Sequence, residues 1–238
     1  METVLVIGAT GNIGVAAVQA VLRSGRKVLA VVRNEASAQK LFQHLGTKEG
    51  ITIVEADILS DQGVKSVVDQ VRAGKLPAFQ HVYSAAGGAY GATPLQEIET
   101  SDLRKFMTIN FESNFFAYRA TIPYLLEQKD VKCTYTLCTG SQGDIGARAA
   151  PALTQGALFS MANVACRDNA DTNVRFNEVY VGVRIEVDVV AEKTGAMKSS
   201  DFSSVYEELL SRPEIDCCRV TVYGKDDLKD LKYRKKIA

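Results

Sequence analysis

The chain is short of histidine, of charge in excess of one sign and of long apolar runs, and each shortage closes off a class of function. It has two histidines, His44 and His81, and five cysteines (Cys133, Cys138, Cys166, Cys217, Cys218) with no C-x-x-C spacing. Neither histidine lies near a cysteine in sequence, so no structural zinc or other metal site is expected. The odd cysteine count, with Cys217 adjacent to Cys218, makes a poor disulfide framework and suits a reduced, cytoplasmic protein. Lys+Arg and Asp+Glu both number 28, and no basic run stands out, so neither nucleic acid nor a membrane surface is an expected partner. The apolar run Val4–Ile7 is too short for a signal peptide, and no stretch is long enough to span a bilayer.

What remains is a chain of 238 residues, 46% hydrophobic and 24% charged, the profile of one globular domain over residues 1–238. Strand and helix patterns alternate almost throughout. Apolar runs at Val4–Gly8, Lys27–Val32, Ile51–Glu55, His81–Ser84, Cys133–Thr139, Arg175–Val181 and Cys218–Tyr223 read as strands. Between them, stripes such as Val64, Val67, Val68 and Val71 carry the period of a helix facing a core. Long helices are expected from about Asp102 to Glu127, with Ser101 or Asp102 as N-cap, and from Leu153 to about Asn169. Phe202–Leu210 reads as one more helix, and the charged end from Lys225 as a short helix or loose tail. This alternation predicts an α/β fold, a doubly wound Rossmann-type parallel sheet with helices on both faces in a single domain.

The stretch Val4–Gly14 (VLVIGATGNIG) carries the most information. A buried strand ends at Gly8, and Gly8, Gly11 and Gly14 lead into a helix over Val15–Arg23. Glycines at that junction let backbone amides approach a pyrophosphate, with a helix N-terminus aimed at its charge. Gly8, Thr10, Gly11, Asn12, Ile13 and Gly14 are therefore candidate dinucleotide contacts. Arg33 follows the second strand, where the adenosine ribose of such a ligand lies; an arginine there favours a 2′-phosphate, hence NADP(H) over NAD(H). Asp57, followed by Ile58 after the third strand, either caps the next helix or accepts a bond from the adenine amino group.

Taken in order, several segments resemble the short-chain dehydrogenase/reductase family over nearly the whole chain. They are Gly8-Ala9-Thr10-Gly11-Asn12-Ile13-Gly14, Asp57, Ala86-Gly87 after Ala85, Asn110 within Met107–Phe111, Gly140-Ser141, and Arg175-Phe176-Asn177-Glu178-Val179. The resemblance implies a nicotinamide dinucleotide across the strand ends and an Asn-Ser-Tyr-Lys constellation for carbonyl chemistry. Asn110 and Ser141 match two of those four positions. The other two are missing, because no tyrosine occurs between Tyr135 and Tyr180 and no lysine between Lys132 and Lys193. Counted back from Asn177 without gaps, the tyrosine and lysine positions fall on Pro151 and Gln155; with a three-residue shift they fall on Thr154 and Leu158.

Replacements near the expected cleft are Thr154, Asp144, Arg148 and Gln142. Asp144 and Arg148, four apart, either act on a developing oxyanion and its proton or form a surface ion pair. A general acid contributes ~10²–10⁴-fold in rate, so the absence of tyrosine points to an atypical oxidoreductase with a non-standard proton source. Its small-molecule substrate is then an activated alkene, imine or carbonyl compound. The run Tyr135–Ser141 is similar to that of tetrad-lacking fungal relatives in natural-product biosynthesis, which suggests reduction, isomerisation or cyclisation. The alternative is a catalytically inactive dinucleotide-binding sensor or partner subunit. The resemblance also implies a homodimer or homotetramer through the two long helices, with Ala157, Ser160, Met161 and Val164 permitting close approach, and a substrate loop at Glu192–Lys198.

Overall fold

The computed structural model describes residues 1–237. In chain order, β1 (Thr3–Ile7), α1 (Asn12–Arg23), β2 (Lys27–Val32), α2 (Glu35–Leu45), β3 (Ile51–Glu55), α3 (Gly63–Arg72) and β4 (His81–Ser84) form the first half. The second half runs α4 (Thr100–Met107), α5 (Ser113–Glu127), β5 (Cys133–Gly140), α6 (Gln142–Ile145), α7 (Ala149–Asn169) and β6 (Val174–Val181). It closes with β7 (Ile185–Glu186), α8 (Asp188–Thr194), β8 (Met197–Lys198), α9 (Ser199–Ser211), β9 (Cys218–Val222) and β10 (Lys232–Lys235). The main sheet has the order β10-β9-β6-β5-β4-β1-β2-β3. The pairs from β3 through to β9 are parallel, and β10 runs antiparallel on the β9 edge.

Each strand divides its side chains between two cores because successive residues point to opposite faces. Val4 and Val6 of β1 join Val18, Val179 and Phe202 on the face covered by α1 and α9, while Leu5 and Ile7 join Val67, Leu125, Leu158 and Phe176 under α3, α5 and α7. Burying an aliphatic side chain of this size stabilises the fold by about 1.5–3 kcal/mol. Two-sided burial explains why Val4–Ile7 of β1 and Val28–Val32 of β2 read as unbroken apolar runs.

Several boundaries differ from the sequence reading. The first long helix starts at Thr100 with Glu99 as N-cap, rather than at Ser101 or Asp102, and a π-helical turn at Thr108–Glu112 interrupts it. The second starts four residues early, at Ala149, with Arg148 as N-cap. The charged end is neither helix nor loose tail beyond the short 3-10 turn at Lys225–Leu228. Lys232–Lys235 pairs with Arg219 and its neighbours as an edge strand. No helix of the described residues is long and apolar enough to cross a membrane.

Candidate active site

The neighbouring strands β1, β4 and β5 finish side by side at one end of the sheet, and the loop after β1 is packed against the loop after β4. Gly8 has φ +79°, and a Cβ on it would lie 2.7 Å from the Ala85 carbonyl oxygen. A Cβ on Gly14 would lie 2.0 Å from the Gly8 carbonyl oxygen, so both glycines are required by backbone approach. Gly11 is different: it is exposed, with only Gly8 O at 3.5 Å from such a Cβ. The loop thus leaves open space over Gly11 at the first turn of α1, whose leading N–H groups lack intrahelical partners and face no acidic residue in that turn.

Around this cradle, Thr10 and Ile13 are half-buried and Asn12 is bonded to a distant segment. Its Oδ1 accepts from Val187 N (3.3 Å) and its carbonyl from Ser199 Oγ (2.7 Å). The paired strands β7 and β8 and the helix between them, which contains part of the expected substrate loop, are thereby joined to the glycine loop. Arg33 is exposed at the end of β2. Asp57 Oδ1 accepts from Leu59 N (3.0 Å), closing a turn ahead of α3, and Ile58 beside it is half-buried.

Two asparagines hold the loop after β4. Asn114 Nδ2 donates to Ala86 O (2.9 Å) and Asn110 O (2.9 Å), and its Oδ1 accepts from Ser84 Oγ (2.7 Å). Asn110 sits inside the π turn, a local distortion frequent at functional sites. Its Oδ1 accepts from Gly88 N and Ala89 N (both 3.1 Å), and its Nδ2 donates to Ala89 O (2.9 Å) and Thr154 Oγ1 (3.3 Å). Ala85, Ala86 and Gly87 are therefore fixed beside the glycine cradle by neutral amides.

Ser141 follows β5, with its N–H bonded to Val181 O (2.9 Å), and its hydroxyl finds no partner among the described residues and is not sealed from solvent. Thr154, close to Asn110, is fully buried and its hydroxyl turns back on its own helix, toward Ala150 O (3.1 Å) and Pro151 O (3.2 Å). Leu158 lies in the core and Pro151 is buried. Gln155 Oε1 accepts from Gly140 N at 2.6 Å. Neither register supplies a phenol or an amine at this place.

Asp144 and Arg148 do not come together. Gly146 takes φ +66° and ends α6 between them, and Asp144 instead faces Arg219 Nη1 at 3.4 Å. Neither Arg33 nor Arg148 takes part in an ion pair among the described residues. Arg148 borders a half-open cleft of about 330 Å³ with Thr93, Leu95 and Leu153. Tyr90, 71% exposed, stands in the loop held by Asn110. Burial pushes the Cys138 thiol up to about 12, so it stays protonated at neutral pH.

A family model for short chain dehydrogenases matches residues 2–197. The chain belongs to the short-chain dehydrogenase/reductase family. It is 52% identical over 240 residues to the short-chain dehydrogenase/reductase iacG of Pestalotiopsis fici, covering 99% of this chain and 96% of that protein. It is also 25% identical over 199 residues to the NADP-dependent (R)-specific alcohol dehydrogenase of Lentilactobacillus kefiri, covering 82% and 77% of the two chains. A short-chain dehydrogenase from Streptomyces avermitilis shares the fold with a TM-score of 0.79 at 15% identity, covering 96% and 91%.

Short-chain dehydrogenases/reductases use nicotinamide dinucleotides, and the glycine cradle fits such a group: its closeness of backbone leaves room for phosphate at Gly11 and for nothing larger than hydrogen at Gly8 and Gly14. One group that the sequence reading did not single out as functional supports the β5 end. Glu178, fully buried on β6, accepts from Thr139 Oγ1 (2.7 Å) and Arg219 Nε (2.9 Å), and Lys236 Nζ also reaches its Oε2. The Arg219 guanidinium lies over Phe159 (4.3 Å) and Tyr180 (4.8 Å). A carboxylate in the middle of a strand that lies inside the sheet was the available signal, since buried charge demands a partner.

Proposed function

We propose that the chain is an NADP(H)-dependent oxidoreductase acting on a small electrophilic substrate without an enzyme phenol as proton source. The observation that carries this reading is the unpartnered Ser141 hydroxyl at the end of β5, together with an α7 that holds threonine, glutamine and leucine where a tyrosine and a lysine are expected. Gly8–Gly14, Asp57 with Ile58, and Ala85–Gly87 would hold the dinucleotide, and Arg33 its 2′-phosphate. When bound, the cofactor supplies or takes a hydride. Ser141 orients and polarises the substrate, while Asn110 and Asn114 keep the loop after β4 in place. The name of the Lentilactobacillus relative and the fungal source of iacG support the cofactor preference and a role in small-molecule biosynthesis, respectively.

Cofactor binding and turnover test the reading together. NADPH should bind more tightly than NADH. Arg33→Ala should weaken NADPH by roughly 10–100-fold, the worth of one charge-assisted bond, and leave NADH unchanged. Loss of the reduced-nicotinamide absorbance is then followed against panels of ketones, conjugated carbonyl compounds and iminium ions. Tight binding with no turnover on any panel would leave a non-catalytic dinucleotide-binding subunit instead. The exposed apolar residues Leu103, Phe115, Leu153 and Val164 on α4, α5 and α7 support self-association through these helices, and sedimentation at micromolar concentration should give a dimer or tetramer.

A further inference from the structure

Two donors near the candidate active site are still free. The Gly140 amide can only donate, so the Gln155 side chain must present its oxygen to it, at 2.6 Å. That contact fixes which end of the amide is which, and Nε2 is left as the outward end. Nε2 has no partner among the described residues and is not sealed from solvent, and the same holds for the hydroxyl of Ser141, the residue after Gly140. Asn110 and Thr154, by contrast, spend their polar atoms on Gly88, Ala89 and the first turn of α7. Thus one O–H and one N–H, both neutral and both without a partner, belong to the residue after Gly140 and to the side chain bonded to the Gly140 amide.

We propose that Gln155 Nε2 and Ser141 Oγ together form a two-donor cradle for a delocalised oxyanion, and that the substrate is a conjugated carbonyl compound. This rests on the oxidoreductase reading for the reaction and names its substrate class. An alkoxide, the product of hydride addition to an isolated ketone, is a localised and strongly basic anion, and a hydroxyl and a carboxamide, no stronger acids than the alcohol it becomes, give its formation little of the help that a true general acid would. A conjugated carbonyl needs no such acid. Hydride adds at the carbon remote from oxygen, a C–H bond forms, the C=C π bond is lost, and the electron pair comes to rest on oxygen as an enolate. The enolate then takes a proton at carbon from water, which leaves as hydroxide. The reductant is the reduced nicotinamide dinucleotide. Donors placed for the oxyanion are worth on the order of 10²–10³ each in rate in well-studied sites.

The test needs neither cofactor nor turnover. 4-Nitrophenol is titrated in the presence of the protein, and its ionised form is read by visible absorbance. The wild-type protein should bind the phenolate at least ten-fold more tightly than the phenol, a drop of about one unit in the bound pKa. Gln155→Leu and Ser141→Ala should each reduce that preference below three-fold. Gln155→Glu keeps an acceptor for Gly140 N–H and so keeps the strand contact, but offers the ligand a carboxylate; it should reverse the preference toward the neutral phenol. Circular dichroism and melting temperature report whether each variant is folded. No phenolate preference in the wild type, or an undiminished one in folded Gln155→Leu or Gln155→Glu, overturns the assignment. Phenolate preference without turnover sinks the oxidoreductase reading alone; turnover without phenolate preference sinks the Gln155 cradle alone.

Discussion

Replacing Glu178 by glutamine should be far more damaging than replacing Lys236 by methionine, although the two residues form one ion pair. Glu178 is the buried anion facing two cations whose side chains are 10% (Arg219) and 4% (Lys236) exposed. Glu178→Gln keeps the shape and the bond from Thr139 but strands both cations, with only the exposed Asp144 at 3.4 Å from Arg219 to oppose them. Removing one partner of a buried pair costs about 3–5 kcal/mol. For a domain of this size about 4 kcal/mol corresponds to roughly 8–16 °C in melting temperature.

Lys236→Met leaves a different residue of charge. Glu178 retains Arg219 Nε and Thr139 Oγ1, and burial of the Lys236 ammonium outweighs its attraction to Glu178, so its pKa lies below the ordinary 10.5. The loss should therefore stay under about 1 kcal/mol. Because the folded value is the lower one, deprotonation of Lys236 favours the folded state. Stability linked to this amine rises as pH climbs from its folded value toward that of the unfolded chain, and Lys236→Met should abolish that rise. Urea unfolding of both variants, with the slope unchanged, measures the difference. A Glu178→Gln loss below about 1 kcal/mol, or a Lys236→Met loss as large as that of Glu178→Gln, would refute the reasoning.

Two further outcomes follow from the geometry. Gly14→Ala places a Cβ 2.0 Å from the Gly8 carbonyl oxygen and should lower stability by at least about 1–3 kcal/mol. Gly11→Ala meets no such obstacle and should melt near the wild type while losing NADPH affinity, measured by titration calorimetry; equal melting temperatures for the two variants would count against the cradle. His81 is held below its ordinary pKa, mainly by burial, with the Glu2 carboxylate pulling the other way. It is neutral in the fold and takes up a proton more readily when unfolded, so acidification from pH 7 through the unfolded and then the folded value should destabilise the protein. His81→Gln should shrink the difference in melting temperature between pH 7.5 and 5.5, and an unchanged difference would remove His81 as its source.

The fold was legible where burial is two-sided or periodic: β1, the glycine loop and the stripe of α3 all follow from apolar spacing. β10 was not, because an exposed edge strand reading Lys-Tyr-Arg-Lys has no buried face to impose alternation, and its pairing with β9 is a tertiary fact. The π turn adds no residue type that a helical pattern lacks, so it leaves no trace in the spacing of 102–127. At the site, the glycines and Ser141 could be found because strand ends bring them to one end of the sheet. Asp144 and Arg148 suggested a pair by their separation of four, but that separation joins side chains only within a continuous helix, and Gly146 ends it. Gln155 was reached in the sequence only as the place of a missing lysine, since its bond to an amide fifteen residues earlier is one that only folding brings about.

The polar groups that hold the loop after β4 and the end of β5, namely Ser84, Asn110, Asn114, Ser141, Thr154 and Gln155, neither gain nor shed protons across the range in which the protein stays folded. An arrangement held in this way keeps the same outline in mild acid and mild alkali. Any pH optimum in turnover then belongs to the substrate's own ionisation or to the water that delivers the proton. Changing the substrate should move that optimum where changing the buffer composition does not.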